Sequence, residues 1–350
     1  MSMSPEHQNY IVHGAPIRLQ AMVDPFAGEL QAMLGDFADG DSDMSATLAT
    51  GSVRPFDAEE VSRCVSSEAQ PVPGLDDLIE LYVHGERYWL VDDRWGICEV
   101  NLLKRQWRSW ILPSIMLEPI HLLEAAVLWP MAQLLRGRGL ELLPAISVEN
   151  NGWGALVIAP YGIAGELECL LRSGYRLIGQ HWTALRAAGN RVSLMHLPGK
   201  VRMPAKPGAL IDSFRRNSVC GNSNWRDLSV DFPAHISHRA WCQAVFVVAP
   251  GRRSVTRGRD AAGSDAIQLL RHAWPIIELP INRRRQNDAA SLLAKNSVCM
   301  SVELSRKPDH LARMMEGVRL RRQFAKPDPK VMVSINPIIR GIKARPLVAK

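Results

Sequence analysis

One stretch constrains this chain more than any other, the run from Trp153 to Leu185. Ala155 to Ala159 is a continuous apolar run of strand length, the pattern of a strand buried on both faces. Pro160, Gly162 and Gly165 then predict a loop, and Glu166 to Arg172 a short helix. Gly174 stands where a left-handed cap would end that helix, and Tyr175 to Ile178 reads as the next strand. Strand, glycine-containing loop, helix and strand form the frame of a phosphate-binding P-loop. Such a loop also needs a Lys on the outer phosphates and a hydroxyl on Mg²⁺. No Lys, Ser or Thr occurs between Pro160 and Leu167.

The segment Ala159-Pro160-Tyr161-Gly162-Ile163-Ala164-Gly165-Glu166-Leu167 resembles the loop of HPr kinase/phosphorylase-like serine kinases, which has the form Gly-Pro-Ser-Gly-Ser-Gly-Lys-Ser-Thr. Arg176-Leu177-Ile178-Gly179-Gln180-His181 resembles that family's Arg-Leu-x-x-Asp-Asp element. Leu142 to Val148 is similar to the strand before the loop. Cys242 to Ala249, with a helix from Asp265 to Ala273, is similar to the end of that domain. The resemblance spans roughly residues 115–320. It implies an α/β fold, an HPr kinase-like P-loop (PEP carboxykinase-like) domain. The domain expectation is a small N-terminal α+β domain over 1–112, the kinase-like domain over 113–320 and a basic tail over 321–350. Gly165 falls on the family's lysine position and Glu166 on its magnesium-binding hydroxyl, while Gln180 and His181 replace the two aspartates.

Electrostatics argues in the same direction without the family. Gly162, Ala164 and Gly165 can still offer a permissive backbone and a helix N-terminus to a ligand. Glu166 and Glu168 in the first turn favour the helix dipole by about 0.3–1 kcal/mol each. The same carboxylates repel a phosphate, by up to about 4 kcal/mol for a unit pair at 4 Å near a surface. Glu166 or Glu168 is therefore expected to cap the helix from within its own first turn, taking the place of a phosphate.

Net charge separates the ends of the chain. Asp24 to Glu80 holds 13 acidic residues against Arg54 and Arg63, a balance of −11. Residues 313–350 hold ten Lys/Arg against Glu316 and Asp328, a balance of +8 in a chain of net +7. The basic character belongs to the tail, which is read as a solvated end, and nucleic acid is not expected as a partner. Ile111 to Leu135, the longest apolar segment, is broken by Pro113, Glu118, Pro119, His121, Glu124 and Pro130, too polar for a membrane span. The N-terminus has no apolar run suited to a signal peptide. Six cysteines without a Cys-x-x-Cys spacing predict reduced thiols and a cytoplasmic setting.

Along the chain, residues 1–14 and Gly35 to Ser52 read as arm and loop. Leu78 to Val83, Tyr88 to Val91 and Ile97 to Leu103 predict a meander. Trp89, Trp95, Trp107 and Trp110, interleaved with Arg94, Arg105 and Arg108, are assigned to the core of that sheet rather than to a stacking platform for bases. Glu118 to Arg136 has helical spacing, with Pro130 expected to kink or divide it. Arg191 to Leu197 and Val298 to Leu304 predict strands, and residues 287–296 and Asp309 to Val318 predict helices. Arg283-Arg284-Arg285 reads as a solvated loop.

His235 and His238 with Cys220 and Cys242 have ligand chemistry but no zinc spacing, so no metal site is expected. His181 is the one candidate general base, on the family's acidic position. The resemblance and the missing groups together predict a kinase-like protein that has lost ATP-dependent phosphorylation. Its expected role is that of a binding or regulatory module, with no cofactor and an unidentified protein or peptide as partner, self-association being left open. The alternative is an active serine or small-molecule kinase using ATP and Mg, with Lys200, Arg202 or Lys206 supplying the missing charge.

Overall fold

The computed structural model describes residues 7–21, 30, 34–38, 49–72, 79–115, 117, 119–159, 164–179, 182–197, 201–203, 224–226, 233–250, 257–273, 279, 283–304 and 309–324. Two large sheets divide this chain, with one long helical segment packed between them.

The first sheet holds β1 (His7–Val12), β2 (Ala15–Ala21), β3 (Ala49–Pro55), β4 (Gln70–Pro71), β5 (Ile79–His84), β6 (Arg87–Asp92), β7 (Gly96–Asn101) and β8 (Gln106–Ile111). Their order is β1-β2-β3-β8-β7-β6-β5-β4. β3 runs parallel to both neighbours, and the other pairs are antiparallel. The meander is β5 to β7, as the alternating apolar runs predict. Trp89, Trp95, Trp107 and Trp110 are each no more than 1% exposed, so the indoles are core. Arg87 stacks 4.9 Å from the Trp89 ring and pairs with Glu99 at 2.7 Å, charge at the rim of an apolar layer. α1 (Ala58–Cys64) follows β3, its N-terminus capped by Asp57, which accepts from the N–H groups of Glu59 and Glu60.

The helical segment α2, residues 119–135, shows how the chain accommodates Pro130. An α-helix from Pro119–Leu123 passes through a π turn at Glu124–Leu128 and resumes over Trp129–Leu135. Pro130 has no N–H, so the carbonyl four residues earlier, on Ala126, loses its helical donor. The buried Ser109 hydroxyl of β8 donates to that carbonyl at 2.7 Å. The expected kink is thus a π turn whose orphan acceptor is satisfied by the neighbouring sheet. One apolar core then runs from Tyr10 and Leu19 in the first sheet, through Leu122 to Leu135, to Leu140, Trp182 and Ala184 in the second.

The second sheet holds β9 (Leu140–Pro144), β10 (Ile146–Asn150), β11 (Trp153–Ile158), β12 (Arg176–Gly179), β13 (Trp182–Ala188), β14 (Arg191–Met195), β17 (Arg239–Pro250), β18 (Arg257–Ala261) and β19 (Val298–Leu304). β15 (Val201–Met203) and β16 (Asn224–Arg226) form a separate small ribbon. β17 organises the layer: β11 runs parallel to it along one side, and β14 and β19 pair with its two ends along the other. The helices here are α3 (Ala164–Arg172), α4 (Gly263–Ala273), α5 (Arg283–Asn296) and α6 (Asp309–Phe324). α3 and α6 pack into one apolar cluster with β11 and β17, α4 and α5 into another. The result is a mixed α/β fold, and among the described residues no helix is long and apolar enough to cross a membrane.

Several sequence expectations need correction. The N-terminal arm is in part a strand, because Tyr10 and Val12 alternate inward and pair with β2. The single strand expected over Leu142 to Val148 is two strands separated by Ala145, whose carbonyl accepts from the buried Thr183 hydroxyl at 2.8 Å. Arg283 to Arg285 opens α5 rather than forming a loop, since Ala290 and Leu293 bury one face of that helix. α6 runs on past the expected tail boundary to Phe324, and Arg322 donates to the carbonyls of Gln243 and Asn296.

Candidate functional site

The strand before the candidate loop and the helix and strand after it are present in the expected order. β11 is buried along its whole length, α3 begins at Ala164, and Gly174 ends the turn after it at φ +86°, a conformation glycine adopts without strain. The Tyr175 N–H closes back on the Leu170 carbonyl at 3.1 Å, and β12 follows. Leu167, Leu170 and Leu171, at i, i+3 and i+4, are buried against the sheet and hold α3 in place. Gly162, with the rest of 160–163, lies outside the described residues, as do Gln180 and His181, so the candidate base His181 has no described geometry. Ala164 and Gly165 are the first two residues of α3.

Glu166 is the third. Its side chain is 6% exposed, and its Oε2 has no hydrogen-bond partner. Burial pushes the Glu166 carboxyl above the usual carboxylate range, opposed by the bond it accepts from its own backbone N–H. The carboxyl does reach back to the helix N-terminus, as expected, but the cost of its burial outweighs the capping bond. Glu168 does not share this position. It lies in the second turn and pairs with Arg172 at 2.7 Å on the exposed face, because the helix starts two residues earlier than the sequence suggests.

The field around α3 is negative. The Cys169 thiol is pushed up by burial first, then by the charges of Asp309, Glu168 and Glu166, with Arg172 alone opposing. Asp309 opens α6 and pairs with Arg313 at 2.6 Å.

No family model matches this chain. No curated protein matches it either. Among solved structures, the Hpr(Ser) kinase/phosphatase from Coxiella burnetii is similar over 52% of this chain and 99% of that chain, at 11% sequence identity and a TM-score of 0.32. A likeness of that size is weak and carries neither activity nor substrate across.

On the far side of Gln180 and His181 the sheet resumes with Trp182. Its indole N–H donates to Glu124 Oε1 at 2.8 Å, and Glu124 Oε2 meets His121 Nδ1 at 3.0 Å. The start of β13 is thereby tied to the π turn of α2. Glu124 interrupts an apolar run in sequence, and only its distant partner Trp182 shows why an acid stands there. Cys242, weighed as a metal ligand, is buried in β17 with its thiol pushed up to about 12 by burial. Cys220 lies outside the described residues. His238 instead meets His196 edge to face, ring centroids 5.7 Å apart. Among the described residues no three His, Cys, Asp or Glu side chains gather as a metal site would require.

Proposed function

We propose that this chain is an HPr kinase-like α/β protein that has given up ATP-dependent phosphorylation and serves as a binding or regulatory module. It has the three-part organisation read from sequence, a small N-terminal unit over 1–112, a kinase-like unit over 113–320 and a basic tail beyond. The observation that carries the reading is Glu166. A P-loop offers its helix N-terminus and a hydroxyl to phosphate and Mg²⁺, whereas this one offers a buried carboxylate in a negative field. Gly162, Ala164, Gly165 and Glu166 are on this view a vestigial nucleotide loop.

Calorimetric titration with Mg-ATP tests the reading directly. Binding weaker than micromolar is expected, and micromolar binding with a rise in melting temperature would overturn it. The double substitution Gly165→Lys with Glu166→Ser restores the two missing groups and should strengthen Mg-ATP binding at least tenfold.

The second reading, an active kinase with a rearranged site, draws support from β15. This strand carries Arg202 and packs beside α3, where an outside cation would have to arrive. Its signature would be a phosphorylated product that disappears in Arg202→Gln while the melting temperature holds.

A further inference from the structure

The strongest unassigned feature is a cleft of about 610 Å³ where the β1–β2 turn meets β13, β14 and the start of β17. Its volume is that of a small-molecule site. Arg186 and Arg239 line it, and neither makes an ion pair among the described residues. Arg186 gives one N–H to the His13 carbonyl at 2.9 Å, and Arg239 gives its Nε–H to the buried Ser193 hydroxyl at 2.6 Å. Register explains their convergence. Arg186 pairs with Ser193, and Met195 pairs with Arg239, so all four side chains share one face of three adjacent strands. Arg239 also stacks 5.2 Å from the Trp241 ring, which orients its guanidinium.

The histidines build the walls. His13 occupies the two-residue turn before Gly14 at φ +50°, a left-handed conformation that is strained for a side-chain-bearing residue. It is held there from the second sheet. A carbonyl only accepts, so His13 Nε2 is protonated and donates to the His196 carbonyl at 2.6 Å. His196 in turn donates Nδ1–H to the Ile178 carbonyl at 2.6 Å, and its backbone N–H bonds the His238 carbonyl at 3.0 Å. Strain, a polar chain between sheets and two guanidiniums without ion pairs coincide at this cleft.

We propose that this cleft binds a phosphate monoester dianion, held between the guanidiniums of Arg186 and Arg239. Two guanidinium forks supply two charges and several parallel donors, which a dianion with three terminal oxygens satisfies and a single carboxylate does not. Among the described residues, the other charged or titratable groups facing the cleft are His13, Asp36, His196 and His238, from the turn, the 3₁₀ segment at Gly35–Phe37, and the ends of β14 and β17. Burial holds His13 below the ordinary histidine range, opposed by its bond to His196 and reinforced by the charges of His196, Arg186 and Arg239. A dianion beside it favours the charged imidazole, so binding takes up a proton. No residue of α3 lines the cleft, and the proposal is independent of how the loop before α3 is read.

The test is calorimetric titration of the full chain with glycerol 3-phosphate, inorganic phosphate and acetate, each in two buffers of different ionisation enthalpy. At pH 8, where both phosphates are already largely dianionic and release little proton of their own, glycerol 3-phosphate or phosphate should bind with net proton uptake, at least tenfold more tightly than acetate. An ester that binds more tightly than the free ion identifies an organic phosphate as ligand. Equal affinity identifies the ion itself, and either result supports the site. Arg186→Gln and Arg239→Gln should each weaken binding at least tenfold. Arg239 is itself exposed, so Arg239→Gln, checked for an unchanged melting temperature, keeps the test decisive if Arg186→Gln fails to fold. Absence of binding by both phosphates at millimolar concentration, acetate binding as well as they do, or full affinity in Arg239→Gln would each overturn the proposal.

Discussion

The N-terminus of α3 and the histidine–arginine cleft are electrostatic opposites. At α3 a strand and a helix flank the candidate loop, and the first helical turn carries the buried Glu166. At the cleft no phosphate motif exists in the sequence, yet Arg186 and Arg239 meet on one face. The difference teaches that the shape and the charge of a site are separable. The frame of β11, α3 and β12 is held by buried leucines and strand pairing, which persist whatever sits in the loop. Ligand chemistry rests on a few side chains, and these can be gained or lost without disturbing the core.

The largest effect is expected where the two regions share a strand. Gly179 ends β12, and a Cβ there would lie 2.4 Å from the Trp182 carbonyl and 2.6 Å from the Thr183 hydroxyl. The nearest obstacle is backbone and the next is the buried Thr183 hydroxyl, so something must shift, and overpacking of this kind costs about 3 kcal/mol. The neighbouring Ile178 carbonyl accepts from His196 in the cleft. Gly179→Ala should therefore lower the denaturant midpoint strongly and weaken phosphate binding together. A stable variant with full affinity would show that β12 does not support the cleft.

Much of the second sheet is legible in sequence because its strands are apolar runs with glycine or proline at their ends. β11, β12, β14 and β19 all fall where periodicity predicts them. The arm that becomes β1 was missed because His7, Gln8 and Asn9 hide the alternation of Tyr10 and Val12, and its partner β2 supplies the rest of the signal. The division of residues 142–148 into two strands depends on Thr183, thirty-eight positions beyond the Ala145 carbonyl it bonds. Of the candidate loop, residues 160–163 lie outside the described residues, and only the flanking strand and helix can be compared with the sequence reading. The cleft was not legible at all, because Arg186, Ser193 and Arg239 are unremarkable until register places them together.

A smaller effect separates charge from shape at α3 itself. The folded-state carboxyl of Glu166 is raised, so its contribution to stability is fully present below the unfolded value and is lost as pH rises through the folded one. Glu166→Gln keeps an oxygen for the helix N–H and removes the buried charge. It should stabilise the chain at pH 7, by no more than about 1 kcal/mol, because a neutral amide costs less to bury than a carboxylate but leaves its NH2 without a partner. The gain over wild type should shrink toward zero below about pH 4, where the carboxylate is protonated in both states. Paired denaturant titrations at acid and neutral pH check it. A variant less stable than wild type at neutral pH would restore the view of Glu166 as a stabilising cap.

The smallest effect belongs to Glu168, two residues on and facing the other way. It pairs with Arg172 at 2.7 Å, one helical turn along, with about a third of the Glu168 side chain and two thirds of the Arg172 side chain exposed. Exposed pairs of this spacing contribute roughly 0.3–0.5 kcal/mol, and salt screens them further. Glu168→Ala should thus change stability by no more than about 0.5 kcal/mol at low salt, and by less in 0.5 M NaCl. Alanine's higher helix propensity offsets part even of that loss. The same substitution removes one of the anions felt at Cys169, so that thiol should react faster with a maleimide at fixed pH, since its thiolate becomes easier to form. Unchanged thiol reactivity alongside a loss above 1 kcal/mol would mean that Glu168 holds the helix rather than contributing to its negative field. The contrast between α3 and the cleft would then rest on Glu166 and Asp309 alone.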